Sequence, residues 1–392
     1  MPIRFKLNAT FPCGCSKEHG IPIKEVLVEL NATSKVAALT ERLKVGRRCA
    51  IIQDPNTKLV AGDAVREALA PRGYEVHQAT VDRPDSGCVS KAKDLIARER
   101  IDFVVGVGGT SVLDVAKAAA YEASASVGRE IPWISFTTAA ANDGIASPTA
   151  SIYEAKGGVE RKTSKLTRPP LAVVADLKII VETLKAPKTA WMIPAGCGDM
   201  VGKTTALKDW ELGRDEKGEY YCEYAAKLAR DSLDDLLAVG KGAAAGNLEP
   251  LKEYIYCLIN AGASMAVAGS SRPCSGSEHL FSHWLDLHAA GWGGAPGRHG
   301  EQVAVGTRLM ALYHAAHNPA WWEEERYQPE SIARFLRSVN CPTTPGEIKV
   351  PKEGALRALV GAPKLRPERY TILHKRPLDE RSAKELLKLA EN

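Results

Sequence analysis

Asp199 in Ala195-Gly-Cys-Gly-Asp-Met200, His279 in Ser275-Gly-Ser-Glu-His-Leu280 and His299 in Arg298-His-Gly-Glu301 supply one carboxylate and two imidazoles. That donor set suits a borderline divalent ion, and three protein ligands leave a coordination position open for a substrate oxygen. His283 follows His279 by four residues, so a helix through both presents them on one face. Paired histidines are also common on plain helix surfaces, and both readings stay open on these residues alone. His288, His314 and His317 carry no such company and read as surface or packing residues.

A second chemistry is written in Phe103-Val-Val-Gly-Val-Gly-Gly-Thr-Ser-Val-Leu-Asp-Val-Ala-Lys117, a strand, a glycine-rich turn and a helix start in succession. Glycines let backbone approach a diphosphate, and the free amides and dipole of a helix N-terminus stabilise its charge. Ser111 stands where the dinucleotide fingerprint has its third glycine, so the segment equally suits a tight strand-to-helix turn. Asp54, just after the apolar run Cys49 to Gln53, can accept both ribose hydroxyls of NAD. It also suits a turn before Pro55-Asn56. A 2'-phosphate should be disfavoured by Asp54, although Asn56, Thr57 and Lys58 offer compensation.

Cys13-Gly-Cys15 with His19 groups three soft ligands. No fourth is evident and the usual two-residue gap is absent, so the segment reads as a solvent-side hairpin. Cys197 reads as a packing residue. Lys203, Arg272 and Arg298 lie near the candidate ligands and could take an anionic substrate group such as a phosphate, or equally be solvated or helix-capping residues. Lys203 is the best placed, one helical turn beyond Asp199.

The elements that must hold these groups follow from periodicity. Short apolar runs at Cys49–Gln53, Gly73–His77, Phe103–Gly106, Trp133–Phe136 and Leu171–Ala175 read as strands buried on both faces. Helical patterns at 35–43, 61–69 and 89–98 separate them, which implies a mostly parallel sheet flanked by helices. From Thr189 onward the spacing is helical, ending in an amphipathic helix over 379–390. Two domains are therefore expected, an α/β nucleotide-binding domain over 1–186 and an all-α metal- and substrate-binding domain over 187–392. The net charge of +5, from 52 Lys and Arg against 47 Asp and Glu, is spread along the chain and does not suggest nucleic-acid binding. No apolar run approaches the roughly 20 residues of a membrane span. Nine scattered cysteines, without a secretory leader pattern, point to a reducing cytoplasm.

Five separated motifs then converge. Gly106 to Asp114, Thr137 to Pro148, Gly196 to Asp199, Ser271 to His283 and His299 to Glu301 resemble, in that order, the sn-glycerol-1-phosphate dehydrogenase family. That family belongs to the superfamily of glycerol dehydrogenase, iron-containing alcohol dehydrogenases and 3-dehydroquinate synthase. Gly198 to Lys203, Asp209-Trp-Glu211, Ser271-Arg-Pro273 and His283-Trp284 look most like its bacterial branch. The resemblance implies a dehydroquinate synthase-like fold and a homo-oligomeric enzyme of lipid metabolism. Its reaction would be reduction of dihydroxyacetone phosphate to sn-glycerol 1-phosphate with NAD or NADP and one divalent metal ion. Asp199, His279 and His299 match the metal ligands, and Asp143 and His283 match pocket residues that hold hydroxyls and relay a proton. The nucleotide contacts implied are Asp54, the turn Gly106, Gly108, Gly109, Thr110, Ser111, Val112, Leu113 and Asp114, then Thr138, Ala139, Ala140, Ala141 and Ser147. Iron-type relatives place a fourth ligand, His, four residues after the aspartate. Lys203 occupies that position here, which favours Zn2+ or Ni2+ over ferrous iron.

Overall fold

A computed structural model describes residues 3–156 and 159–391. Its centre is a six-stranded, wholly parallel sheet built from β3 (Glu25–Glu29), β4 (Arg48–Gln53), β5 (Glu75–Thr80), β6 (Phe103–Gly108), β7 (Trp133–Thr137) and β10 (Ala172–Asp176). The spatial order is β3-β10-β7-β6-β4-β5. Two antiparallel hairpins stand outside it, β1 (Ala9–Pro12) with β2 (Glu18–Ile21), and β8 (Thr149–Lys156) with β9 (Val159–Leu166).

Strands β6, β7 and β10 are buried along their whole length because helices cover both faces of the sheet. Phe103, Val105 and Val107 of β6 pack with α1 (Val36–Leu43) and α2 (Asp63–Leu69) on one face. Val104 packs with α3 (Ser86–Arg98) and α4 (Thr110–Val127) on the other. The predicted strand at Gly73–His77 begins later, at Glu75, because Gly73 has a positive φ of 79° and closes the preceding helix. Strands β3, β8 and β9 escape the periodicity reading, β3 because only three apolar residues stand between Glu25 and Glu29, β8 and β9 because charged and polar residues interrupt theirs.

Beyond Asp176 every regular element among the described residues is helical. Those used below are α5 (Leu177–Lys185), α6 (Met192–Val201), α7 (Lys203–Lys217), α8 (Glu223–Ala244), α9 (Leu248–Ala268), α10 (Ser277–His288) and α11 (His299–His317). The fold class expected from sequence is thus the one observed. The β1–β2 hairpin does not lie free toward solvent as expected. It packs on the helical half, where Phe11 meets Tyr224 at 5.0 Å between ring centroids and the preceding Arg4 pairs with Asp235 at 2.6 Å. No described helix is long and apolar enough to cross a membrane.

Candidate functional site

A cleft of about 930 Å3 opens where the C-terminal ends of the strands face the helical half. This is the place where open parallel sheets bind ligands. The N-terminus of α4 points into it, and no side chain caps that end. With the Val112 and Leu113 amides bonded to the Gly109 carbonyl, the Thr110 and Ser111 amides are left for an anionic ligand. Asp54, Gly109, Thr110, Ser111, Val112, Asp114, Thr138, Ala139, Ala141 and Ser147 all line the cleft.

Gly106, Gly108, Leu113 and Ala140, also expected to contact the nucleotide, lie behind that lining. A Cβ on Gly106 would stand 2.8 Å from Ala116 Cβ, and one on Gly108 2.6 Å from Val112 Cβ. These two glycines let α4 pack directly on β6, so they position the turn from beneath. Asp54 makes the turn that is one of the two readings offered for it. Its Oδ1 accepts from the Asn56 and Thr57 amides, each at 2.8 Å, and the residue still faces the cleft. Lys58 is held by Asp63 at 2.7 Å and so gives little compensation for Asp54's charge. Buried Lys117, one turn past Asp114, donates to the carbonyls of Gly144 and Thr149, each at 2.9 Å. It thereby fixes the loop that carries Asp143 and Ser147.

Asp199 Oδ1 lies 3.5 Å from His279 Nε2 and 3.6 Å from His299 Nε2, and all three donor atoms fall within 4.8 Å of one another. The outer hydrogen bonds fix which ring nitrogens are free. His279 Nδ1 donates to the buried Glu278 carboxylate at 2.7 Å, leaving the Nε2 lone pair for an ion. Gln302 Nε2 donates to Asp286, so its carbonyl turns to Ser282, whose hydroxyl donates to it at 2.8 Å. Ser282 Oγ must then accept from His299 Nδ1–H at 3.1 Å, again freeing Nε2. Two lone pairs and one carboxylate oxygen thus converge as a divalent ion requires.

Burial opposes ionisation of Asp199, but the Lys203 ammonium and the two imidazoles outweigh it and hold the carboxyl well below its usual range. Burial, then His279 and Lys162, push His299 down to about 3, which keeps its ring neutral.

Lys203 needs correction. Instead of reaching toward a substrate phosphate it is fully buried, with Nζ 2.6 Å from Asp143 Oδ2, 3.0 Å from Asp199 Oδ2 and 3.1 Å from the Asp199 carbonyl. It does not line the cleft. Asp199 is thereby divided, Oδ1 toward the imidazoles and Oδ2 toward the ammonium. Arg272 is likewise removed from the phosphate role, being 3% exposed and bonded to Glu219 and the Tyr370 carbonyl at 2.6 and 2.9 Å. Arg298 does line the cleft, paired with Glu301. Three further cations line it that sequence reasoning missed, Lys162 of β9, Lys188 and Arg366, whose Nη2 bonds Ser164 at 3.0 Å.

His283 lines the cleft beside His299, the rings stacked 5.9 Å apart. Its ring is a weaker base than a free imidazole. Burial, then the charge of Arg366 and the adjacent histidines, push it well below its ordinary value. Burial raises the Asp143 carboxyl, with Lys203 opposing.

Parallel sheet, uncapped α4 terminus and carboxylate–imidazole triad together define the class. The family model described as iron-containing alcohol dehydrogenase matches residues 27–187. Among solved structures, a probable glycerol dehydrogenase from Sinorhizobium meliloti superposes with a TM-score of 0.71 at 20% identity, covering 94% of this chain and 98% of that one. A relative from Pyrococcus abyssi named glycerol-1-phosphate dehydrogenase (NAD(P)+) is 38% identical over 366 residues, 93% of this chain and 97% of its own. One of the same name from Staphylothermus marinus is 39% identical over 372 residues, 94% and 96% of the two chains. The chain belongs to the glycerol-1-phosphate dehydrogenase family. These relatives are archaeal, and the expectation of a bacterial branch finds no support in them.

Proposed function

We propose that the protein reversibly reduces dihydroxyacetone phosphate to sn-glycerol 1-phosphate with NADH or NADPH. The observation that carries this reading is one cleft lined by the α4 N-terminus, the triad Asp199, His279 and His299, and the cations Lys162, Arg298 and Arg366. When bound, the metal ion supplies a Lewis acid for the carbonyl oxygen and the reduced nicotinamide supplies the hydride. Lys203 keeps Asp199 ionised and aims its Oδ1 at the imidazoles. Lys162 and Arg366 take the phosphate by charge-assisted hydrogen bonds. His283 stays neutral and orients a substrate hydroxyl through its ring nitrogens. Asp143, its carboxyl raised by burial, passes the proton to the product oxygen.

Zinc or nickel is the proposed ion, because Lys203 puts an ammonium where a fourth ligand would stand one turn past Asp199. NADH is the favoured coenzyme, because Asp54 repels a 2'-phosphate and Lys58 is committed to Asp63. Nine free thiols among the described residues suit a reducing cytoplasm. We further propose the division of labour at residue 186, with the nucleotide held mainly before it and the metal after it.

The test is NADH oxidation by the purified, metal-loaded protein with dihydroxyacetone phosphate and with dihydroxyacetone, followed by chiral analysis of the product. Preference for the phosphorylated ketone and a 1-phosphate product are expected. Equal turnover of both ketones, or the 3-phosphate enantiomer, would overturn the proposal.

A further inference from the structure

The β1–β2 hairpin brings Cys13, Cys15 and His19 against Cys222, the residue that precedes α8. The four ligand atoms, three thiol sulfurs and an imidazole nitrogen, all lie within 4.8 Å of one another. Cys13 Sγ is 3.8 Å from Cys222 Sγ, and Cys222 Sγ is 3.5 Å from His19 Nε2. A tetrahedral zinc with its usual bond lengths separates sulfur from sulfur by about 3.8 Å and sulfur from nitrogen by about 3.5 Å. Cys15 Sγ sits nearer to His19 Nε2, at 3.1 Å, in a hydrogen bond that an ion between them would replace.

We infer that Cys13, Cys15, His19 and Cys222 form a second, structural zinc site that fastens the N-terminal hairpin to the helical half of the molecule. Four protein ligands fill a tetrahedron, so this site has no open position for a substrate, unlike the three-ligand site in the cleft. Its surroundings are those of a metal–thiolate centre. Tyr220 offers its hydroxyl to Cys15 Sγ at 3.2 Å, and the Lys17 ammonium stands 3.4 Å above the Tyr220 ring. A hydrogen bond and a nearby cation both favour the net negative charge that three thiolates and a neutral imidazole leave on a divalent ion. Phe11 packs against His19, with ring centroids 5.9 Å apart, and His19 and Cys222 are buried while Cys13 and Cys15 are half-buried.

The hairpin has a reason to need such a clasp. It pairs with no strand of the main sheet, and an isolated two-stranded ribbon is marginal in water. Cross-linking it to a segment more than 200 residues away would add a covalent-strength tie to the packing of Phe11 and Ile21 on the helical half.

The two metal sites differ in sulfur, and that difference makes the test specific. The full-length protein is purified under reducing conditions without chelator, its metal content measured, and the metal then exchanged for cobalt. The expected result is an intense near-ultraviolet thiolate-to-cobalt charge-transfer band, which Asp199, His279 and His299 cannot produce. Cys15→Ser and Cys222→Ser should each lose that band and one metal equivalent per chain. His279→Ala should keep the band and lose the other equivalent. In the wild-type protein, titration with a thiol reagent should find three more reactive cysteines after chelation than before. Absence of the charge-transfer band in the wild type would overturn the proposal without reliance on any variant that fails to fold. So would a Cys13–Cys222 disulfide that persists through the reducing purification, seen as a mass two hydrogens below that of the sequence.

Discussion

Each member of the cleft triad is held by a different outer partner, so single substitutions separate ion binding from ion tuning. His279→Ala removes a donor outright and leaves only Asp199 and His299. Metal analysis should then show the cleft site empty, with NADH oxidation at background. Lys203→Met keeps all three donors but frees Asp199 Oδ2 and Asp143. Loss of such an outer partner costs roughly 10- to 100-fold in metal affinity or activity. Because Lys203 is buried away from the cleft, that loss should be equal for phosphorylated and unphosphorylated ketones. Arg366→Ala should instead raise KM for dihydroxyacetone phosphate roughly 10- to 100-fold, as befits a charge-assisted hydrogen bond, and leave dihydroxyacetone unchanged. Steady-state kinetics on both ketones decides between these patterns. The triad itself was legible because its residues sit in compact motifs. The role of Lys203 was not, because a helical turn from Asp199 says that the two side chains are neighbours but not which lies deeper. Lys162 and Arg366 were invisible for another reason. They reach the cleft from a polar hairpin and from a loop that no periodicity connects to the ligand-bearing helices.

At the scale of elements, the triad depends on how closely two helices cross. Asp199 sits on α6 and His299 begins α11, and the crossing is stripped of side chains on both partners. A Cβ on Gly300 would stand 2.0 Å from the Ala195 carbonyl oxygen, and one on Gly198 2.5 Å from the Gly300 oxygen. Neither obstacle is a flexible side chain, so the helices themselves must part. Gly300→Ala should therefore lower stability by about 1–3 kcal/mol, the usual cost of overpacking. It should also weaken metal binding, since the Asp199–His299 separation widens with the crossing. Thermal melting with and without added metal checks both effects; a melt unchanged in either condition would contradict the close crossing. The strand-to-helix turn at Gly106 and Gly108 follows the same logic on β6 and α4. In sequence both pairs of glycines look like nucleotide or loop signals, because a close approach between distant segments leaves no local mark. Parallel strands are easier to read, being continuous apolar runs, whereas the charged hairpin strands merge with loops.

At the scale of the whole molecule, the helical half is organised around one buried carboxylate. Asp209 of α7 accepts from the Ser277 amide at the start of α10 and the Ile372 amide, each at 2.6 Å, and from His314 of α11 at 3.2 Å. Asn318 Nδ2 donates to His314 Nδ1 at 3.1 Å, which leaves Nε2–H to point at Asp209. Four segments far apart in sequence therefore meet on two oxygens, and α10 carries His279 and His283. Burial raises the Asp209 carboxyl, but His314 and the Ser277 donors more than offset this and hold it below its ordinary value. A carboxyl depressed in the folded state stabilises the fold above its unfolded value of about 3.9, and that contribution fades as pH falls through the lower folded value. Asp209→Asn keeps the shape and removes the charge. The asparagine NH2 then faces a buried N–H donor, a mismatch that costs about 1–3 kcal/mol, so at neutral pH the variant should melt below the wild type. The gap should narrow as the pH is taken below about 4, where the Asp209 carboxyl of the unfolded wild type takes up a proton while the folded one still resists it. Melting temperatures of both proteins across that range give the answer. A gap that stayed constant down to the acid limit would mean that the charge of Asp209 contributes nothing, and that its hydrogen-bonding shape alone joins the four segments.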